Sequence, residues 1–185
     1  MRKLAIMVIG LLPFVCWSGS LFPDDYDREF KDAAIFLPVG TDWRLLKAQC
    51  YQESRLKPYA VSPVGAMGLC QFMPGTWGEV SAQLDGLTSP WLPEQSIRAA
   101  AYYMQRLNRG WSSERPQSDR YLLALASYNA GFGNLLQAQR KCGMPVLYSE
   151  IIPCLEQVTG KHSAETRGYV KNIIGRWYPA MLIGG

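Results

Sequence analysis

Residues 50–77 read CYQESRLKPYAVSPVGAMGLCQFMPGTW, and the rest of the chain is organised around them. The stretch opens on a helical pattern that carries one carboxylate, Glu53, beside Ser54. A turn-rich segment follows from Pro58 to Gly68, with two prolines and two glycines. It closes on Gly68-Leu69-Cys70-Gln71-Phe72-Met73-Pro74, an apolar run with a single amide in it. A carboxylic acid followed by a tight, apolar, Gly- and Met-containing segment points to an acid held in a low-dielectric cleft. In such a place a carboxyl keeps its proton near neutral pH and can hand it on.

Upstream, Asp24 to Phe36 has the pattern of a first helix, and Val39-Gly40 breaks it. Thr41 or Asp42 then caps a helix that contains Trp43, Leu45, Leu46 and Ala48 and reaches Ser54 or Arg55, which places Glu53 in the last turn. Downstream, Met67 to Phe72 reads as a short helix stopped by Pro74, with another short helix opening at Gly75 or Thr76. Pro93 or Glu94 opens a longer one, with Ile97, Ala100, Ala101, Met104 and Leu107 at helical spacing. Asp119 is the expected cap of the next, which ends at Asn129-Ala130-Gly131. Asn134–Arg140 and a short Glu156–Gly160 stretch follow, and an amphipathic helix from Ser163 ends at Pro179. Strand alternation and internal repeats are lacking, so the class is mainly α, and 185 residues suit one domain.

The first twenty residues, MRKLAIMVIGLLPFVCWSGS, have the three-part layout of a secretory signal: two positive charges, an apolar run, then small residues before a cut after Ser20. The alternative is an uncleaved membrane anchor. Export puts the remainder, residues 21–185, in the periplasm or cell envelope. Without the leader, 17 basic side chains face 15 acidic ones, a balance that gives no reason to expect nucleic acid. Rossmann, P-loop and zinc-finger spacings are missing. His162 is the single histidine, which leaves little room for a multi-histidine metal site or a Ser-His-Asp triad. No metal or cofactor is implied. Six Trp and ten Tyr suit either an aromatic core or a sugar-stacking groove.

Cleavage after Ser20 also removes Cys16 and leaves Cys50, Cys70, Cys142 and Cys154. An even count in an exported chain favours two disulfides, and we expect Cys50–Cys70 and Cys142–Cys154 among the three possible pairings. The alternative for Cys50 and Cys70 is a pair of buried free thiols, and the Cys142–Cys154 bridge would staple a local loop around Met144-Pro145.

Four pieces occur in order: Glu53-Ser54, Gly68-Leu69-Cys70-Gln71-Phe72-Met73-Pro74, Ala126-Ser127-Tyr128-Asn129-Ala130-Gly131 and Glu165-Thr166-Arg167-Gly168-Tyr169-Val170. Together they resemble the catalytic domain of the soluble lytic transglycosylase family over roughly Asp42 to Tyr178. The resemblance implies a lysozyme-like single domain with a substrate groove that binds peptidoglycan glycan strands. It departs from the family pattern at Cys70, where a methionine is usual before the glutamine, and at Ser127, where an alanine is usual before the tyrosine. It implies Glu53 as general acid and then base at the bond between N-acetylmuramic acid and N-acetylglucosamine. Ser62 and Gln71 would reach acetamido groups, Met73, Phe72 and Tyr128 would wall the acid, and Tyr128 would hold its carboxyl. Glu165 would bind substrate from the far side, with Tyr169 one turn later on the same groove. Three other readings stay open: a hydrolytic muramidase of goose-lysozyme type, a non-catalytic wall-binding subunit, and a small enzyme tied to the membrane or to an envelope machine such as a secretion system or phage particle.

Overall fold

The computed structural model describes residues 22–183, and the expected signal segment, Cys16 included, lies outside them. Ten α-helices are formed among the described residues: α1 Asp27–Ala33, α2 Trp43–Ser54, α3 Pro74–Ser81, α4 Pro93–Gly110, α5 Gln117–Ala130, α6 Phe132–Lys141, α7 Tyr148–Ile151, α8 Glu156–Thr159, α9 His162–Asn172 and α10 Tyr178–Ile183. They contain no β-strand, only two isolated bridges. The mainly α class is therefore as expected.

Helices α4 and α5 pack on each other at the centre. The first carries α1 and α3 on its other sides, and the second carries α6 and α9. The apolar spacing of α4 faces inward as the sequence implies: Ile97, Ala100, Ala101, Met104 and Leu107 are all buried. Three consecutive alanines, Ala99 to Ala101, let neighbouring backbones approach closely, while Phe30, Phe72 and Trp111 fill the wider gaps. Ser127 sits in this core. Its hydroxyl accepts the Trp111 indole N–H at 3.1 Å and donates to Leu123 O at 2.7 Å. An alanine there would leave a buried indole N–H unpaired, which gives the departure at this position a physical reason.

Helix α2 starts where expected, with Asp42 accepting the Arg44 N–H at 2.9 Å. It stops because Arg55 and Leu56 both turn into the left-handed region, each with φ 58°. Ser54, the last helical residue, ties that stop to the next segment: its hydroxyl accepts Lys57 N–H at 3.0 Å and donates to Leu69 O at 2.6 Å.

Residues 67–72 do not form the expected helix. They make a doubly bridged turn in which Val61 pairs with Met67 and Met67 with Phe72. The backbone explains the difference, since Gly68 (φ 77°) and Gln71 (φ 53°) are left-handed and incompatible with a helix. Gly68 is required on a second count: a Cβ there would lie 2.1 Å from Pro90 O. Pro74 does not stop a helix but opens α3, where its fixed φ and missing N–H are suited to the first turn.

Three further expectations are corrected. Helix α5 begins at Gln117, two residues before Asp119, and the Asp119 carboxylate instead accepts Tyr148 N–H at 2.8 Å, pinning α7 against α5. The segment between Cys142 and Cys154 is not a plain loop. It folds into α7 and a 3-10 turn over Ile152–Leu155, because Ile151, Ile152 and Leu155 are buried in the core. The last helix does not end at Pro179 but passes through a wide π turn, Ile173–Trp177, and restarts as α10. Pro179 then occupies the second position of the new helix, where its N–H is not needed.

Both expected disulfides are formed. Cys50 and Cys70 have Cα atoms 4.5 Å apart and join α2 to the bridged turn, and Cys142 and Cys154 stand at 5.9 Å. The first accounts for the cysteine that departs from the family pattern at position 70.

Candidate active site

Glu53 stands in the last turn of α2, and its carboxyl faces inward toward α9 and α5. The Tyr169 hydroxyl, from α9, donates to Glu53 Oε1 at 2.6 Å across 116 residues of chain. No Lys, Arg or His forms an ion pair with Glu53 among the described residues. Burial therefore dominates and pushes the Glu53 carboxyl from 4.5 up to about 8. The Tyr169 hydrogen bond opposes that rise, and the nearby Glu165 carboxylate adds to it. An acid with these surroundings is protonated at neutral pH and able to release the proton to a substrate oxygen.

The space in front of it is a cavity of about 330 Å³ lined by Gln52, Glu53, Asn129, Glu165, Gly168, Tyr169 and Asn172. A second hollow of about 330 Å³ shares Asn129 and Glu165 and continues past Asn134, Thr159, His162 and Thr166. The two run on as a groove along α9. Thr166 Oγ1 donates to Asn129 Oδ1 at 2.7 Å and fixes the amide where α5 ends against α9. Glu165 and Tyr169 are four residues apart, so one face of α9 presents both to the groove.

The remaining expected residues sit on the bridged turn and beside it. The Tyr128 hydroxyl does not hold the Glu53 carboxyl; it donates to Cys70 O at 2.8 Å, and the bond to the acid comes from Tyr169. Burial, and after it the nearby Glu53 carboxylate, nevertheless raises the Tyr128 pKa well above the usual tyrosine range. Its ring packs against Phe72 (centroids 6.0 Å) and Tyr103 (5.4 Å), and Phe72 in turn meets Trp77 (5.6 Å). Gln71 braces its own loop, its Nε2 donating to Ala60 O at 3.0 Å and Gly68 O at 2.8 Å. Ser62 Oγ accepts Ala66 N–H at 2.9 Å. Met73 is exposed and precedes α3.

Sequence reading missed the wall residue Tyr103, the lining residues Gln52 and Asn172, and the direct Tyr169–Glu53 bond. The four-residue spacing of Glu165 and Tyr169 was the available signal for the last of these. Tyr103 lies on the long α4 pattern and gives no local signal.

Residues 38–144, more than half of the chain, match the Transglycosylase SLT domain model. Membrane-bound lytic murein transglycosylase F from Yersinia pseudotuberculosis serotype I (strain IP32953) is 35% identical over 158 residues, which cover 77% of this chain and 31% of that protein. The chain spans under a third of the length of the curated relatives it matches. Among solved structures, the 70 kDa soluble lytic transglycosylase SLT70 from Escherichia coli superposes with a TM-score of 0.68 at 27% identity, over 87% of this chain and 25% of that one. An inactive glutamate-to-glutamine mutant of lytic transglycosylase Slt from Pseudomonas aeruginosa gives 0.66 at 27% identity, over 88% of this chain and 25% of that one. The helical fold, the half-buried acid at the end of α2 and the match across residues 38–144 lead to one conclusion: the chain belongs to the transglycosylase SLT domain family and has its lysozyme-like fold.

Proposed function

We propose that the protein is a peptidoglycan lytic transglycosylase in which Glu53 is both general acid and general base. The observation that carries this reading is a single carboxyl held near pKa 8 by burial, bonded to Tyr169 and open to a groove. As an acid, Glu53 gives its proton to the oxygen that links N-acetylmuramic acid to N-acetylglucosamine, and the C1–O4 bond breaks. As a base, it then takes the proton from the 6-hydroxyl of the muramic acid residue, whose oxygen closes on C1. The product is a 1,6-anhydro sugar, no water is consumed, and Glu53 returns to its protonated form. The substrate's 2-acetamido group assists as an internal nucleophile at C1.

The other residues take supporting roles in this proposal. Tyr169 fixes the carboxyl, and Glu165 binds the glycan strand across the groove. Gln71 offers Oε1 and Ser62 its hydroxyl proton to acetamido groups, while Tyr128 dries the acid's surroundings; Met73, being exposed, does not share that role. Export to the periplasm or cell envelope, local opening of the wall and association with a membrane or envelope machine belong to the same proposal. Among the described residues no helix is long and apolar enough to cross a membrane.

One observation favours a second reading. Glu165 places another carboxylate on the same cavity as Glu53, where it would activate water in a hydrolytic muramidase. Mass spectrometry of digested sacculi separates the two. Anhydromuramyl ends support the transglycosylase, reducing muramyl ends support the hydrolase, and no soluble product supports a non-catalytic binding subunit.

A further inference from the structure

Gln49 lies one helical turn before Glu53 on α2 and is fully buried. Neither its Nε2 nor its Oε1 has a hydrogen-bond partner among the described residues. An unpaired buried amide costs roughly 1–3 kcal/mol, and an apolar side chain of the same size would remove that cost. Its placement indicates a use. Residues four apart project from the same face of a helix, so Gln49 and Glu53 both point toward α9. The Tyr169 hydroxyl on α9 spends its one proton on Glu53 Oε1 and keeps lone pairs free to accept. Burial, and after it the Glu53 carboxylate, raises the Tyr169 pKa well above the usual tyrosine range, and the Gln49 side chain opposes that rise, as an N–H donor to the phenolic oxygen does.

We propose that Gln49 is a positioning residue: it donates an amide N–H to the Tyr169 hydroxyl oxygen and so turns that hydroxyl's proton toward Glu53. The three groups then form a chain, Gln49 to Tyr169 to Glu53, in which each bond polarises the next. The chain favours the carboxylate form of Glu53 at the moment it must act as a base. The other titratable groups facing Glu53 are Glu165 from α9 and Tyr128 from α5, and neither donates to its carboxyl. The role assigned to Gln49 rests on Glu53 being the acid and base.

The test is an NMR titration of the side-chain carboxyls in the disulfide-bonded protein. The Glu53 signal is identified as the one lost in Glu53→Gln. Gln49→Met should move the Glu53 midpoint upward by at least about half a pH unit, and Tyr169→Phe should move it further in the same direction. The Gln49→Met/Tyr169→Phe double variant should match Tyr169→Phe alone, because Gln49 acts through that hydroxyl. Gln49→Leu repeats the measurement with a different apolar shape, so a poorly packed methionine does not decide the result. An unchanged midpoint together with a raised melting temperature would overturn the proposal and leave Gln49 a plain buried amide. Additive shifts in the double variant would overturn it too, since Gln49 would then act on Glu53 directly. The titration needs no substrate, so wild-type protein that fails to cleave sacculi would count against the proposed reaction and not against this relay.

Discussion

At the scale of single residues, the protein is defined by an acid that has no cationic partner among the described residues. A basic neighbour would hold Glu53 ionised at neutral pH. Burial instead keeps it protonated to about 8, and one tyrosine hydroxyl fixes its orientation. Activity that depends on Glu53 as an acid should therefore hold through neutral pH and fall above about pH 8 in a kcat/KM profile. The same shift bears on stability. Because the folded value lies above the unfolded value of 4.5, the stabilising contribution is complete below that pH and is lost as pH rises toward 8. Glu53→Gln carries no such charge. It should melt at a higher temperature than wild type, by the equivalent of about 1–3 kcal/mol at pH 8, with the gap closing near pH 5. Equal melting temperatures at both pH values would mean that the carboxyl is better solvated than its surroundings suggest.

At the scale of elements, the site depends on how α2 meets the bridged turn. Two links join them, the Cys50–Cys70 disulfide and the Ser54 hydroxyl on Leu69 O, and Gly68 presses the turn against the Pro90 backbone ahead of α4. Gly68→Ala should be among the most damaging single-methyl changes in the chain. It adds left-handed strain to a clash with backbone, and a loss of roughly 3 kcal/mol or more is expected in denaturant melts. Replacing both Cys50 and Cys70 by alanine frees a loop of sequence separation 20 and should cost about 3 kcal/mol. The loss of sacculus-clearing activity should be larger than that stability loss explains, because Cys70 also presents the carbonyl that holds Tyr128.

At the scale of the whole molecule, the sequence made the helical class, most helix positions and both disulfides legible. The signals were strong where burial is periodic, as along α4 from Ile97 to Leu107. They failed where backbone conformation outweighs composition. Nothing in Met67–Phe72 shows that Gln71 is left-handed, and so the run looked helical. Nothing local shows that a π turn lets the last helix pass Pro179. The acid itself was readable from its motif, but its partner was not. Tyr128 and Tyr169 are both aromatic hydroxyls in recognisable pieces, and only the packing of α9 against α5 selects Tyr169 to reach Glu53. The fold thus brings an acid from α2 and a tyrosine 116 residues later into one bond, and the proposed chemistry depends on that closure.

In the proposed mechanism Glu53 alone carries the proton both ways. It is tested most directly by mass spectrometry of purified sacculi treated with wild type and with Glu53→Gln. Wild type should release 1,6-anhydromuramyl products, and Glu53→Gln should lose roughly a thousandfold or more in rate, since one residue performs both proton transfers. Reducing-end products from wild type, or undiminished cleavage by Glu53→Gln, would contradict it.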